Sequence, residues 1–196
     1  MKMGKYNIKT DDLVYEPAED TFLLAENLQI NPEDSVLEIG TGSGLVAIYA
    51  REKSDKITVS DININALEIA EENFKNNGIN DIEIKFGNLY EPFENRKFDV
   101  ILFNTPYLPT EKEDIIDTDL NYAFDGGVDG RKVIDPFLYG LKNHLNKHGK
   151  VQMIQSSLSN IEKTFEILES EGFICEITKK EHFFFEDVVL ITATLI

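Results

Sequence analysis

The run Ser35-Val36-Leu37-Glu38-Ile39-Gly40-Thr41-Gly42-Ser43-Gly44 decides the architecture. Its first half is a short, largely apolar strand, its second half a glycine-rich turn, and residues 44–53 beyond it read as a helix. Glycine at a strand-to-helix turn lets the backbone adopt positive φ and approach a ligand closely. The start of the helix offers amide groups that no helical carbonyl uses. A dinucleotide fingerprint asks for glycine at the sixth position of G-x-G-x-x-G. Here that position is Leu45, and the third glycine arrives one residue early, at Gly44.

Outward from this turn, short apolar runs alternate with helical periods. Strands are expected at 56–60, 82–86, 98–103 and 150–154, and helices at 65–76, 131–146 and 161–170. Asn77-Gly78 stops the second helix. The tail reads as two strands, 173–180 and 188–196, joined by a turn. Alternation implies an α/β fold with a mostly parallel, seven-stranded sheet and helices on both faces. Two consecutive strands at the end require one to run antiparallel, giving a C-terminal antiparallel hairpin. This is the Rossmann-like plan of class I methyltransferases. On the pattern alone, other nucleotide-binding α/β domains fit equally well.

The 196 residues suit a single domain, 1–196, with 1–13 expected to be a flexible N-terminal segment. No stretch has the length and apolarity of a membrane span, and the N-terminus lacks the apolar core of a signal peptide, so the default location is cytoplasmic. Cys175 is the only cysteine, which excludes an internal disulfide and a cysteine-ligated metal cluster. The three histidines are scattered, and no metal site is assigned. A net charge of −17 without a basic cluster argues against nucleic acid as the partner and suits a basic or neutral protein. The connection 108–129, with Glu111, Glu113, Asp114, Asp117 and Asp119, points the same way as a recognition element. The aromatic run Phe183, Phe184 and Phe185 is expected to pack in the terminal hairpin.

G-x-G-x-G with Glu38 two residues ahead resembles the S-adenosylmethionine loop, which makes Glu38, Gly40, Gly42 and Gly44 candidate cofactor residues. Asp61, ending the second strand, is placed to accept hydrogen bonds from ribose hydroxyls, with Asn63 as a helix cap. After the third strand, Asn88 is assigned to the adenine ring, with Leu89 beside it. The fourth strand ends in Asn104-Thr105-Pro106-Tyr107, at the sheet end where such folds bind ligands. An amide or aryl-amine nitrogen is a poor nucleophile because its lone pair is delocalised. The Asn104 side-chain oxygen and the Thr105 carbonyl would each accept a hydrogen bond from a substrate NH2, and Tyr107 would stack on its plane. Orientation of this kind supplies much of the acceleration, and no strong base is needed beforehand.

The Asn104–Tyr107 run resembles the Asn-Pro-Pro-Tyr motif of HemK-type and amino-group DNA methyltransferases. Val14-Tyr15-Glu16-Pro17-Ala18-Glu19-Asp20-Thr21-Phe22 resembles the N-terminal signature of the eukaryotic and archaeal HemK branch. Phe124-Asp125-Gly126-Gly127-Val128-Asp129-Gly130-Arg131 resembles its aromatic-x-Gly-Gly-x-x-Gly-Arg segment. The resemblance implies S-adenosylmethionine as donor and S-adenosylhomocysteine as product. The acceptor it implies is the glutamine of the Gly-Gly-Gln motif in class-1 translation release factors, methylated at N5. It also implies a small zinc-binding activator subunit, as some members have, and it puts Tyr15, Glu19 and Thr21 over the cofactor's methionine end. Thr105 departs from the family's proline, which predicts a looser catalytic turn, and Phe124 stands where relatives often have tryptophan.

The reading is therefore a protein-glutamine N-methyltransferase, with Asn104, Pro106 and Tyr107 catalytic and Thr105 also touching substrate. The motif alone leaves open an adenine amino group of RNA or DNA as acceptor. A catalytically silent binding subunit is the alternative from another class.

Overall fold

The computed structural model describes residues 2–110 and 119–196. Glu111, Glu113, Asp114 and Asp117 of the acidic connection lie outside the described residues. In chain order the elements are β1 (Lys2–Met3), β2 (Tyr6–Asn7), α1 (Glu19–Ala25), β3 (Ser35–Ile39), α2 (Leu45–Arg51), β4 (Lys56–Asp61), α3 (Ile64–Asn76) and β5 (Glu83–Phe86). They continue with β6 (Phe98–Asn104), α4 (Ile134–Leu141), β7 (Leu145–Ser156), α5 (Ile161–Ser170), β8 (Phe173–His182) and β9 (Asp187–Leu195).

The main sheet has seven strands in the order β5-β4-β3-β6-β7-β9-β8. All neighbours are parallel except β9, which runs antiparallel to both β7 and β8. The chain leaves β3 first towards β4 and β5, then returns to place β6 on the other side of β3. That reversal opens a crevice at the carboxyl ends of β3, β4 and β6.

Alternation along the central strands explains why both faces are covered. Val36, Val100 and Leu102 face one apolar cluster with Leu24 of α1, Ile48 of α2 and Phe74 of α3. Leu37, Ile101 and Phe103 face the other, with Phe137 and Leu138 of α4 and Leu168 of α5. A strand buried on both faces must be apolar at consecutive positions, as Val100 to Phe103 are. Among the described residues, no helix is long and apolar enough to cross a membrane.

Three local expectations differ from the structure. Residues 2–9, within the segment read as flexible, form the β1–β2 hairpin and bury Met3, Tyr6 and Ile8. Asn73 and Asn77 on α3 serve them as a strand would. Asn73 accepts from the Lys9 N–H at 2.7 Å and donates to its carbonyl at 3.0 Å. Asn77 makes the same pair of bonds to Asn7, at 3.0 Å each. The helix expected over 131–146 is α4 alone, followed by a 3-10 turn, Lys142–His144. Pro136 lacks an N–H and fits a first turn, so a helix containing it cannot begin much earlier. The aromatic run is split. Phe183 packs on the first cluster, whereas Phe184 and Phe185 are 89% and 84% exposed. They lie in the tip beyond the last register pair, His182 with Asp187, where no strand remains to cover them.

Candidate active site

The crevice is lined from β3, β4 and β6, from the 13–21 segment that enters α1, and from the 120–124 segment. On its glycine side, Gly40, Gly42 and Gly44 all have positive φ, at 66°, 53° and 80°. They do different work. A Cβ on Gly42 would meet nothing within 4 Å, so its absence leaves open crevice for a ligand. A Cβ on Gly44 would lie 2.6 Å from the Phe74 ring of α3. Gly44 does not line the crevice; it starts α2 in the left-handed conformation and lets α2 and α3 close up.

Asp61 ends β4 and ties this loop down. One carboxylate oxygen accepts from the Gly42 N–H and the other from the Asn63 N–H, each at 2.9 Å. Burial pushes its pKa up, against those backbone donors. Asn63 caps α3 through the Asn65 N–H at 2.9 Å. Glu38 is buried beneath the loop, where desolvation lifts its carboxyl to about 8. The Thr41 hydroxyl bond, at 2.9 Å, opposes that rise, and the nearby Asp61 charge adds to it. Asn88 is exposed at the mouth with Leu89, whose φ is 47°.

Across the crevice, β6 ends at Asn104. Its Nδ2 donates to Asp20 Oδ2 at 3.1 Å, and Tyr107 donates its hydroxyl to the same oxygen at 3.3 Å. Asn104 Oδ1 is buried and has no hydrogen-bond partner. Burial and the Asp20 charge push the Tyr107 phenol well above its ordinary range, and the same two causes act on Tyr15. Thr105 is buried, and its hydroxyl donates to the Ile154 carbonyl of β7 at 2.7 Å.

Residues 125–131 clamp this turn from outside. The Gly126 N–H donates to the Leu108 carbonyl at 3.0 Å, and the Thr110 N–H to the Gly127 carbonyl at 2.9 Å. Backbone contact this close needs glycine, since a Cβ on Gly130 would sit 2.4 Å from the Tyr107 carbonyl. Arg131 anchors the far end, donating to the Ser159 and Asn160 carbonyls at 2.7 and 2.8 Å and to the Thr164 hydroxyl at 3.0 Å.

The sequence and the fold match known proteins. The methyltransferase small domain model matches residues 16–184. The chain belongs to this family. A Methanocaldococcus jannaschii protein, provisionally named a protein N5-glutamine methyltransferase, is 46% identical over 187 residues, 95% of this chain and 94% of the relative. The eRF1 methyltransferase catalytic subunit mtq2 of Schizosaccharomyces pombe is 31% identical over 192 residues, 85% of this chain and 83% of the relative. Among solved structures, Mtq2 in the Encephalitozoon cuniculi Mtq2-Trm112 complex has a TM-score of 0.71 at 25% identity, covering 93% of this chain and 99% of that one. A Pyrococcus furiosus methyltransferase shares the fold, with a TM-score of 0.74 at 19% identity. Within the methyltransferases, the chain falls in the eukaryotic and archaeal HemK branch.

Seen as a HemK-type methyltransferase, the chain departs from the expected site in three places. Glu38, Gly40, Gly42, Asp61, Asn88, Leu89, Thr21 and Asn104 through Tyr107 all line the crevice, as does Tyr15, while Gly44 and Glu19 do not. Asp20, given no role from sequence, faces the 104–107 turn. Its signal was an acidic residue on the face of α1 that also carries Leu23 and Leu24, all buried. Thr105, expected to loosen the turn, tethers it to β7 by a side chain that proline lacks.

Proposed function

We propose that this methyltransferase transfers a methyl group from S-adenosylmethionine to N5 of the Gly-Gly-Gln glutamine in a class-1 translation release factor, in the cytoplasm. The observation that carries the reading is Asn104 Oδ1, a buried acceptor without a partner at the carboxyl end of β6. A buried polar atom without a bond costs about 1–3 kcal/mol, and a substrate NH2 would recover it. Similarity to the provisionally named glutamine methyltransferase and to the eRF1 methyltransferase subunit supports glutamine as the acceptor.

The residues fit the cofactor. Asp61 presents carboxylate oxygens to ribose hydroxyls, the Gly42 backbone leaves the space a Cβ would fill, and Asn88 and Leu89 stand at the adenine end. When bound, S-adenosylmethionine supplies a sulfonium methyl carbon that takes the nitrogen lone pair as its bond to sulfur breaks, leaving S-adenosylhomocysteine. Asn104 Oδ1 holds the glutamine NH2 by one hydrogen, the Thr105 carbonyl takes the other, and Tyr107 covers the amide plane. No side chain at this turn need remove a proton beforehand. The methylated nitrogen is strongly acidic and releases its proton to water. An activator subunit resembling the Trm112 of the Encephalitozoon complex is part of the proposal.

The test is transfer of labelled methyl to a purified class-1 release factor, to its Gln→Ala variant at Gly-Gly-Gln, and to a structured RNA, with and without a zinc-binding activator. Label on the wild-type factor alone is expected. Label on RNA alone would transfer the assignment to adenine. Binding of S-adenosylmethionine with no turnover on any acceptor, activator present, would make the chain a silent subunit.

A further inference from the structure

We propose that Asp20 is the positioning residue of the methyl-transfer site. It holds the Asn104 carboxamide in the one orientation in which its oxygen, and not its NH2, faces the acceptor nitrogen. The inference deepens the reading above and rests on it only in taking the acceptor to be a planar NH2.

A carboxamide is nearly symmetric in shape but opposite in chemistry at its two ends. A flipped Asn104 would turn a donor towards a substrate group that is itself a donor. Proteins settle such flips through hydrogen-bond partners. Here the partner is decisive, because an ionised carboxylate only accepts. Asp20 Oδ2, 3.1 Å from Asn104 Nδ2, is compatible with the NH2 end and repels the oxygen end. The oxygen must then point the other way, where it is buried and unpartnered.

Asp20 is itself held. Its Oδ1 accepts from the Thr21 N–H at 2.6 Å, the Thr21 hydroxyl at 3.2 Å and the Tyr15 hydroxyl at 3.0 Å. One carboxylate oxygen thus fastens to the first turn of α1 and the other to the catalytic turn, including the Tyr107 hydroxyl at 3.3 Å. Asp20 is 7% exposed, so water does not compete effectively for these bonds.

Charge adds a second effect. A hydrogen bond from Nδ2 to an anion polarises the amide and makes Oδ1 a stronger acceptor. The acceptor nitrogen gains positive charge as it takes the methyl, so the contact with Oδ1 strengthens on the way to the transition state, which is the condition for accelerating the step. Asp20 lines the crevice beside Asn104, and its proposed effect on the step runs through Asn104.

Two measurements test this. In the methyltransferase with its activator, Asp20→Asn keeps shape but admits a donor, so Asn104 can flip. Turnover on the release factor should fall about 10- to 100-fold, the loss expected of one charge-assisted hydrogen bond. The KM for the factor and the affinity for S-adenosylhomocysteine should stay within about twofold, since the proposed role of Asp20 runs through Asn104. Unchanged turnover overturns the proposal, and so does loss of S-adenosylhomocysteine binding at unchanged turnover, which would place Asp20 in the cofactor site. The second measurement needs no substrate and no variant of Asp20. In the wild-type S-adenosylhomocysteine complex, the Asn104 side-chain amide, identified by its disappearance in Asn104→Ala, should show one proton shifted far downfield and protected from exchange. Two ordinary, fast-exchanging amide protons overturn the proposal even if glutamine methylation is confirmed. A downfield proton without methylation of the factor upholds the positioning and fails only the acceptor assignment.

Discussion

The two walls of the crevice are built differently. The wall proposed to hold the cofactor comes largely from one stretch, 38–63, in which β3, the glycine loop, α2 and β4 follow each other directly, with Asn88 and Leu89 added from beyond β5. The wall proposed to carry out transfer brings together Asp20, Asn104 and Tyr107, with residues 126–131 clamped behind them. The first wall is a local motif whose neighbours in space are neighbours in sequence. The second exists only when α1 and the end of β6 have docked. Damage to the cofactor wall should therefore appear in cofactor affinity or stability, and damage to the transfer wall in turnover.

The largest effect is expected at Asn104→Ala. Losing the acceptor that orients the nitrogen should lower turnover by about 1000-fold or more, while cofactor affinity changes little. Isothermal titration with S-adenosylhomocysteine beside a labelled-methyl assay separates the two; a parallel collapse of cofactor affinity would erase the distinction between the walls.

The next effect is pH-dependent. Burial raises the Glu38 carboxyl from 4.5 to about 8 in the folded chain, so folding favours its protonated form. That contribution is fully present below the unfolded pKa and is lost as pH rises through the folded one. The chain without cofactor should lose on the order of 2 kcal/mol between pH 6 and pH 9. Glu38→Gln should flatten that part of the profile in urea denaturation, and an unchanged slope in the variant would assign the loss to other groups.

Within the glycine loop, Gly44→Ala and Gly42→Ala divide the cofactor wall itself. At Gly44 a methyl meets the Phe74 ring at 2.6 Å and a φ of +80°, so stability should drop by about 1–3 kcal/mol. Gly42→Ala meets no protein atom within 4 Å and should weaken S-adenosylmethionine binding more than it lowers the melting temperature. The reverse ranking would mean that Gly44, not Gly42, faces the cofactor.

The smallest effect is expected at Thr105→Val. It removes the hydroxyl bond to the Ile154 carbonyl and should cost about 1 kcal/mol of stability with a few-fold loss of turnover. Turnover equal to wild type would show that Pro106 and the 126–131 clamp suffice to hold the turn.

This contrast tracks what could be read in advance. β3, its glycine loop and Asp61 were legible because backbone conformation and strand period are local properties. The mostly parallel seven-stranded sheet and its terminal antiparallel hairpin followed from the alternation of elements; the strand order did not. The 104–107 turn was legible as the crevice-lining end of the fourth strand, but its internal contacts were not. Thr105 read as a weakness and is a tether, because its partner, the Ile154 carbonyl, lies far along the chain on β7. Gly44 read as a ligand contact and is a packing contact, because Phe74 reaches it from another helix.

By itself, then, the sequence determined the fold class, the end of the sheet where the crevice lies, and many of the residues that line it. These depend on periodicity, glycine placement and strand ends, all settled within a few residues. Only the tertiary structure decided that Asp20 meets Asn104, that the N-terminal residues dock on Asn73 and Asn77, and which end of the Asn104 amide is left free. Those outcomes depend on which polar groups from distant segments are buried together, and burial is a property of the packed chain.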